Sequence, residues 1–137
     1  MILRISYEEA TAVNSAAERV LSSAGGVAVL APPEVMESLE VLLPIPGDIS
    51  VNTLARQERL LGAVEYVLDH LKRRMDAFIL EQYVGSDDSV NAYFDYANVL
   101  TVREKLVHAG REMRAMIEVM TGESPDPDTA RTIEFPD

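Results

Sequence analysis

The sequence predicts a mainly α-helical protein: a long antiparallel two-helix hairpin, an N-terminal helical segment and a minor β-sheet. Three observations predict this fold class. Apolar residues recur at helical spacing through two long stretches, and one turn signal near residues 85–89 separates these stretches. No proline interrupts either stretch before residue 125. A break containing proline and glycine at 44–48 separates the hairpin from what precedes it.

Chain length and composition indicate one globular domain. The chain has 137 residues, of which 47% are hydrophobic and 26% charged, so it can bury a core and is not disordered as a whole. Within this domain we expect three parts. They are an N-terminal α/β segment at 1–47, the helical hairpin at 48–122 and an acidic, proline-containing tail at 123–137.

The charge balance limits the class of partner. With 23 acidic and 12 basic side chains, the formal net charge is -11. This charge repels phosphate groups, which argues against nucleic acid and anionic membranes as partners and is compatible with a basic protein partner. No cysteine is present, which excludes disulfides and thiolate metal sites. The opening "MILRIS" is too short for a signal peptide and no apolar run has membrane-spanning length, so we expect a cytoplasmic protein.

The N-terminal segment begins with a strand signal and a helix-start signal. Residues 2–5, "ILRI", are apolar and partly β-branched, as strands are. Ser6 and Glu9 have the spacing of a capping box, in which each side chain accepts a hydrogen bond from the other residue's backbone. The following helix has an alanine-rich apolar face, and residues 25–26, both glycine, are expected to end it.

The rest of the N-terminal segment is less sharply defined. Residues 27–31, "VAVLA", fit either a second strand or a short continuation, because an apolar run of this length has no diagnostic period. Pro33 suits the first position of a helix over about 33–43. The "PIPGD" sequence at 44–48 is then the joint to the hairpin.

Both helices of the hairpin carry an apolar stripe. From about Asn52, spacings of three and four predict the first stripe at Leu54, Gln57, Leu61, Val64, Leu68, Leu71, Met75 and Phe78, with Leu60 and Val67 flanking it. The second stripe is Val99, Val102, Leu106, Ala109, Met113, Met116 and Met120, and it ends at Gly122. Gly85 is the expected stop of the first helix, and Asp87 or Asp88 the N-cap of the second.

Two helical glycines suggest the register of the hairpin. Glycine inside a helix costs on the order of 1 kcal/mol relative to alanine. Folding the chain back about residue 86 places Gly62 opposite Gly110, which predicts a close helix crossing there. The same register pairs opposite charges, Glu58 with Arg114 and Asp69 with Arg103.

The C-terminal residues are predicted to be less regular. Residues 123–130, "ESPDPDTA", are acidic and contain two prolines, which is typical of a loop or tail. Residues 131–135, "RTIEF", alternate enough for a short strand that would extend the N-terminal sheet.

No catalytic, cofactor-binding or metal-binding residue is predicted, and the sequence favours a non-enzymatic protein. Glycine-rich phosphate loops and serine nucleophile elbows are absent from the sequence. Glu104, His108 and Glu112 share one helix face, but that face points away from the apolar stripe, so we interpret them as a surface ion-pair trio. His70 also lacks the Glu-x-x-His spacing of a metal-binding bundle.

The end of the hairpin is the strongest candidate for a binding surface. Apolar and aromatic residues there extend nearly all round both helices, and a two-helix hairpin cannot bury its outer sides. The predicted interface residues are Phe78, Ile79, Leu80, Tyr83, Tyr93, Phe94 and Tyr96. They are expected to pack on the N-terminal segment, on another copy of the chain or on a different protein.

The leading functional hypothesis is a non-enzymatic interaction or assembly subunit. In this hypothesis the protein is a homo-oligomer, a dimer or higher, that self-associates through the helical hairpin. One alternative is an acidic immunity, antagonist or chaperone protein that masks a basic partner. Another alternative is a ligand-binding helical bundle.

Overall fold

The fold is a helical hairpin with a third helix packed against it. A computed structural model describes residues 1–22, 37–40, 43–80, 87–122 and 126–136. Its helices are α1 (Tyr7–Ser22), α2 (Leu54–Leu80), α3 (Asp87–Thr121) and α4 (Pro127–Thr132), and residues 37–40 are also helical. Helices α2 and α3 pack together, which confirms the predicted hairpin, and α1 packs on both, more extensively on α3.

The minor sheet has an unpredicted second strand. Strand β1 (Ile2–Leu3) pairs antiparallel with β2 (Ile49–Ser50), so that Ile2 lies opposite Ser50. The strand predicted at 2–5 is thus confirmed over two residues. The predicted strand at 27–31 lies outside the described residues, as do Pro33 and the expected helix stop at 25–26.

The capping box at the start of α1 is confirmed. The Ser6 backbone N–H donates to the Glu9 carboxylate over 2.9 Å, and the Glu9 N–H donates to the Ser6 hydroxyl over 3.1 Å. The inner face of α1 buries alanine and valine side chains, including Val13 and Ala16. These small side chains allow α1 to approach the hairpin closely.

The joint at 44–48 is non-helical, as predicted, and side chains hold it in place. The Asn14 side-chain amide makes two hydrogen bonds to the Ile45 backbone. It accepts from the Ile45 N–H over 2.6 Å and donates to the Ile45 carbonyl over 2.9 Å. Asp48 accepts from the Ile5 N–H over 2.9 Å and from the Arg4 guanidinium over 3.1 Å. Gly47 has a backbone φ of 148°, a value that residues with a side chain rarely adopt.

The ends of the hairpin helices depart slightly from the predicted positions. Helix α2 begins two residues after Asn52, because the Thr53 hydroxyl caps it by accepting the Arg56 N–H over 3.1 Å. Asp87 and Asp88 both lie in the first turn of α3, and Gly85 lies outside the described residues. Gly122, at a φ of 67°, ends α3 as predicted, and its N–H donates to the Glu118 carbonyl over 2.9 Å.

The buried stripe of α2 is wider than a two-helix contact requires. Its buried residues are Leu54, Gln57, Leu60, Ala63, Val64, Val67 and Leu71. Leu60 and Val67, predicted to flank the stripe, are fully inside it, whereas Leu61, Leu68, Met75 and Phe78 are only partly buried. The stripe shifts because α1 also covers α2, which a hairpin considered alone does not anticipate.

The buried stripe of α3 follows the prediction up to Met113 and then departs from it. The buried residues are Ser89, Ala92, Val99, Val102, Leu106, Ala109, Gly110, Met113 and Ile117. Met116 and Met120 were predicted to be core residues but are 44% and 67% exposed, so that part of the prediction is wrong. Ile117 takes the core position instead, since the spacing after Met113 continues with four rather than three residues.

The C-terminal residues form a helix and an extended segment that pack on the fold. The predicted strand at 131–135 is wrong, because residues 131 and 132 end α4, which begins with Pro127 in its first turn. The residues that follow α4 nevertheless bond to the rest of the chain: the Phe135 N–H donates to the Asn52 carbonyl over 2.7 Å, and the Met1 ammonium group donates to the Pro136 carbonyl over 2.9 Å. Phe135 is buried, and α4 packs on α2, so this region is not a loose tail.

The predicted crossing of Gly62 and Gly110 is wrong. Gly62 is exposed, and a Cβ atom there would meet no atom within 4 Å. Gly110 is buried and faces Gln57, whose Nε2 atom would lie 2.6 Å from an added Cβ. Gln57 is 1% exposed and donates from Nε2 to the Leu106 carbonyl over 2.9 Å. Gly110 therefore makes room for a buried hydrogen bond between the helices.

Ion pairs between α2 and α3 define the register of the hairpin more accurately than the two glycines do. Arg114 lies 3.8 Å from Glu58, which confirms one predicted pair. The other pair is wrong, because Arg103 lies 3.8 Å from Glu65, one turn away from Asp69. Asp69 instead pairs with Arg73 within α2, over 3.1 Å.

The two glycines should respond oppositely to alanine. Gly62→Ala should raise the free energy of unfolding by roughly 0.5–1 kcal/mol, because it only improves helix propensity at an open position. Gly110→Ala should lower it by about 1 kcal/mol, because displacing the Gln57 amide from the Leu106 carbonyl outweighs the propensity gain. Urea unfolding of both variants measures the difference, and equal stabilisation by the two would contradict the role given to Gly110.

Candidate interaction surface

A buried ionic cluster fixes α1 to the middle of α3. Glu9 is 5% exposed and accepts from the Lys105 ammonium group over 2.6 Å and from the Thr101 hydroxyl over 2.6 Å. Lys105 also donates to the Arg4 carbonyl over 2.7 Å. A carboxylate buried to this degree is stable only where such hydrogen bonds exist, so Glu9 specifies the position of α1.

Helix α1 leaves one end of the hairpin without buried large side chains. Near the C-terminal end of α1, Arg19 lies 3.9 Å from Asp95 of α3. Beyond that level, none of the nine α2 residues from Lys72 to Leu80 is buried, and the first turns of α3 bury only Ser89 and Ala92. We call residues 72–80 and 87–94 the hairpin tip.

The tip exposes large apolar side chains. Ile79 and Leu80 at the end of α2 are 51% and 84% exposed, and Val90 and Phe94 at the start of α3 are 55% and 60% exposed. The structure thus brings together, at one end of the molecule, apolar residues that are separated by the turn in the sequence.

The other predicted interface residues have different environments. Phe78 and Tyr93 are half-buried. Tyr96 is partly buried and packs against the core, so it contributes to the fold. Tyr83 lies outside the described residues.

Charged groups border the apolar tip. The Arg74 guanidinium lies over the Phe78 ring, 5.4 Å from its centroid. Burial raises the pKa of Asp95, although the nearby Arg19 and Arg74 oppose this rise. Burial lowers the pKa of His70. The positive charges of Arg74, Arg19 and Arg73 lower this pKa further, so the neutral form of the imidazole is favoured. Cations therefore concentrate at this end of α2 in a protein that is acidic as a whole.

The remaining sequence-predicted candidates are engaged within the fold. His108 lies 2.8 Å from Glu112, as expected for a surface pair, and Glu104 pairs with Arg103 over 3.1 Å. Within the described residues, no group of three acidic or histidine side chains is arranged to hold a metal ion.

A shallow groove of about 300 Å³ lies between β1 and α3. Arg4, Lys105, His108 and Glu112 line it. All four of these side chains already have protein partners, with Arg4 bound to Asp48. The groove therefore gives no specific support to a ligand-binding function.

The chain matches no family model, no curated protein and no solved structure. Among the helices that the structure describes, none has the length and apolar character needed to cross a membrane.

Sequence reasoning missed the Glu9 cluster as a tertiary contact. The capping-box pattern identified Glu9, but only as a local helix-start residue. Lys105 is 96 positions away along the chain. One signal was available in the sequence. Lys105 lies next to the buried stripe of α3, and Glu9 lies on the inner face of α1.

The pH dependence of stability should reveal this cluster. Burial alone would raise the pKa of the Glu9 carboxyl, but hydrogen bonds from Lys105 and Thr101 and those of the capping box lower it to about 2. Because the folded pKa is below the unfolded value, Glu9 stabilises the fold above about pH 5 and loses this contribution as the pH falls toward 2. Glu9→Gln should cost about 2–3 kcal/mol at pH 7 and flatten the stability profile between pH 5 and pH 2.

Glu8→Gln is the matched control, because Glu8 is the exposed neighbour in the same helical turn. Urea unfolding at several pH values distinguishes the two variants. If Glu8→Gln and Glu9→Gln give the same profile, the cluster does not stabilise α1.

Proposed function

We propose that the protein is a non-enzymatic assembly subunit that self-associates through the hairpin tip. The observation that carries the proposal is the exposure of Ile79, Leu80, Val90 and Phe94, each more than half exposed at the same end of one hairpin. Single exposed apolar side chains are ordinary, but a group at one site is typical of an interaction surface. Burying one such side chain is worth about 1.5–3 kcal/mol.

A second copy of the chain is the partner that the charges favour. The net charge of -11 makes two copies repel each other over most of their surfaces. At the tip this repulsion is relieved, because Lys72, Arg73 and Arg74 lie on α2 and Asp87 and Asp88 lie on α3. A surface that carries both charges is complementary to itself when two copies meet in opposite orientations.

Side-by-side overlap of two tips extends the contact beyond the four exposed apolar side chains. Stable interfaces bury about 800 Å² per partner, which needs more surface than four side chains offer. Overlap along the nine residues from Lys72 to Leu80 would give a four-helix contact about 13 Å long. Phe78 and Tyr93 would supply half-buried aromatic area at its centre, as interface anchors do.

Leu80→Ser and Phe94→Ser should weaken self-association by roughly ten- to hundredfold, since each removes an apolar group that is buried only in the oligomer. The matched control is Val119→Ser. Val119 is 84% exposed, as Leu80 is, but lies at the opposite end of the hairpin. Sedimentation equilibrium over a range of protein concentrations measures the dissociation constants, and circular dichroism checks that helix content is unchanged.

Two outcomes would contradict the proposal. A wild-type protein that is monomeric at all concentrations would exclude self-association and favour the antagonist hypothesis. An oligomer that Val119→Ser dissociates while the tip variants leave it intact would place the contact elsewhere on the molecule.

A further inference from the structure

At the hairpin tip the basic side chains lie on α2, and the acidic pair Asp87 and Asp88 lies on α3 at a different level. Lys72 is eight residues before the end of α2, whereas Asp87 and Asp88 form the first turn of α3 beside that end. Eight helical residues span about 12 Å, which separates the lysine from the aspartates along the hairpin axis. Among the described ion pairs, none involves Lys72, Asp87 or Asp88.

The arginines between these levels are only partly engaged within the chain. Arg73 pairs with Asp69 over 3.1 Å. Arg74 lies over Phe78, and its buried Nε atom has no hydrogen-bond partner among the described residues. Asp76 is the one acidic residue of α2 between Lys72 and Leu80, so this end of α2 remains basic on balance.

We propose that Lys72 of one copy pairs with Asp87 and Asp88 of a second copy, which makes the assembly an antiparallel two-fold dimer. This inference rests on the proposed self-association through the hairpin tip. When two tips overlap in opposite directions about a centre near residue 76, the start of α3 in one copy lies level with Lys72 in the other. The two-fold axis generates the same contact twice.

The charges thereby select one orientation. A parallel arrangement of the tips would place like charges at the same level, with Lys72 beside Lys72 and Asp88 beside Asp88. Such pairs are unfavourable in a partly desolvated contact. The antiparallel arrangement replaces these like pairs at Lys72 and Asp88 by opposite pairs, and the Asp76 carboxylates of the two copies then lie level with each other near the two-fold axis.

Charge exchange tests the pairing. Lys72→Glu and Asp88→Lys should each weaken the dimer about three- to tenfold, because each creates like-charge contacts across the interface. Combining Lys72→Glu with Asp88→Lys should restore the dissociation constant to within about twofold of wild type. Both positions are exposed, so the fold of each variant should be unaffected. Sedimentation equilibrium at low and physiological salt measures all three variants.

Arg111→Glu is the control for net charge. It makes the same change as Lys72→Glu at an exposed position on the distant half of α3 and should leave the dissociation constant within about twofold. If the double variant is as weak as, or weaker than, the single ones, the pairing between copies is wrong. If Leu80→Ser still dissociates the assembly in that case, self-association through the tip stands without this pairing. A monomeric wild-type protein would overturn both proposals.

Discussion

The ionic contact between the Glu9 carboxylate and the Lys105 ammonium group determines which part of the hairpin α1 covers. Glu9 is almost fully buried, and its oxygens are satisfied by Lys105, Thr101 and the capping-box serine. Sliding α1 by one turn would remove Lys105 and Thr101 and leave the buried carboxylate without a charged partner, which costs several kcal/mol. Apolar packing through alanine and valine is less selective, since such small side chains fit at several positions. The polar cluster therefore determines the position of α1 along the hairpin, whereas its apolar face stabilises the contact by burial.

This register has a consequence at the other end of α1. With Glu9 held beside Lys105, α1 lies level with Asp95 at Arg19, three residues before the helix ends at Ser22. Beyond it, α2 carries no buried residue after Leu71, although the helix continues to Leu80. The exposed apolar end thus follows from where the third helix is fixed. Asp95, at this level, is half-buried and 3.9 Å from Arg19, and burial raises the pKa of its carboxyl.

Local patterns in the sequence predicted local structure well, and contacts between distant residues were predicted less well. The hairpin followed from helical periodicity, and the cap on α1 from the three-residue spacing of Ser6 and Glu9, because both depend on neighbours along the chain. The strand β2 and the helix α4 were missed because two or six residues carry too little periodicity to be recognised.

The predicted crossing of Gly62 and Gly110 failed for a geometric reason. Symmetric folding of the chain about residue 86 ignores helix rotation, which turns Gly62 outward and places Gln57 against Gly110. The apolar end was identified in advance at Ile79, Leu80 and Phe94, but its exposure depends on α1, which the hairpin pattern does not reveal.

Hydrogen–deuterium exchange at two protein concentrations tests most directly whether the hairpin tip is an intermolecular surface. If copies associate through the tip, amide protection in residues 72–80 and 87–94 should rise with concentration, because association suppresses local opening there. Protection around Val102 and Leu106, which are buried within one chain, should stay the same. The two protein concentrations are chosen below and above the measured dissociation constant. Equal amide protection of the tip at both concentrations would contradict the account.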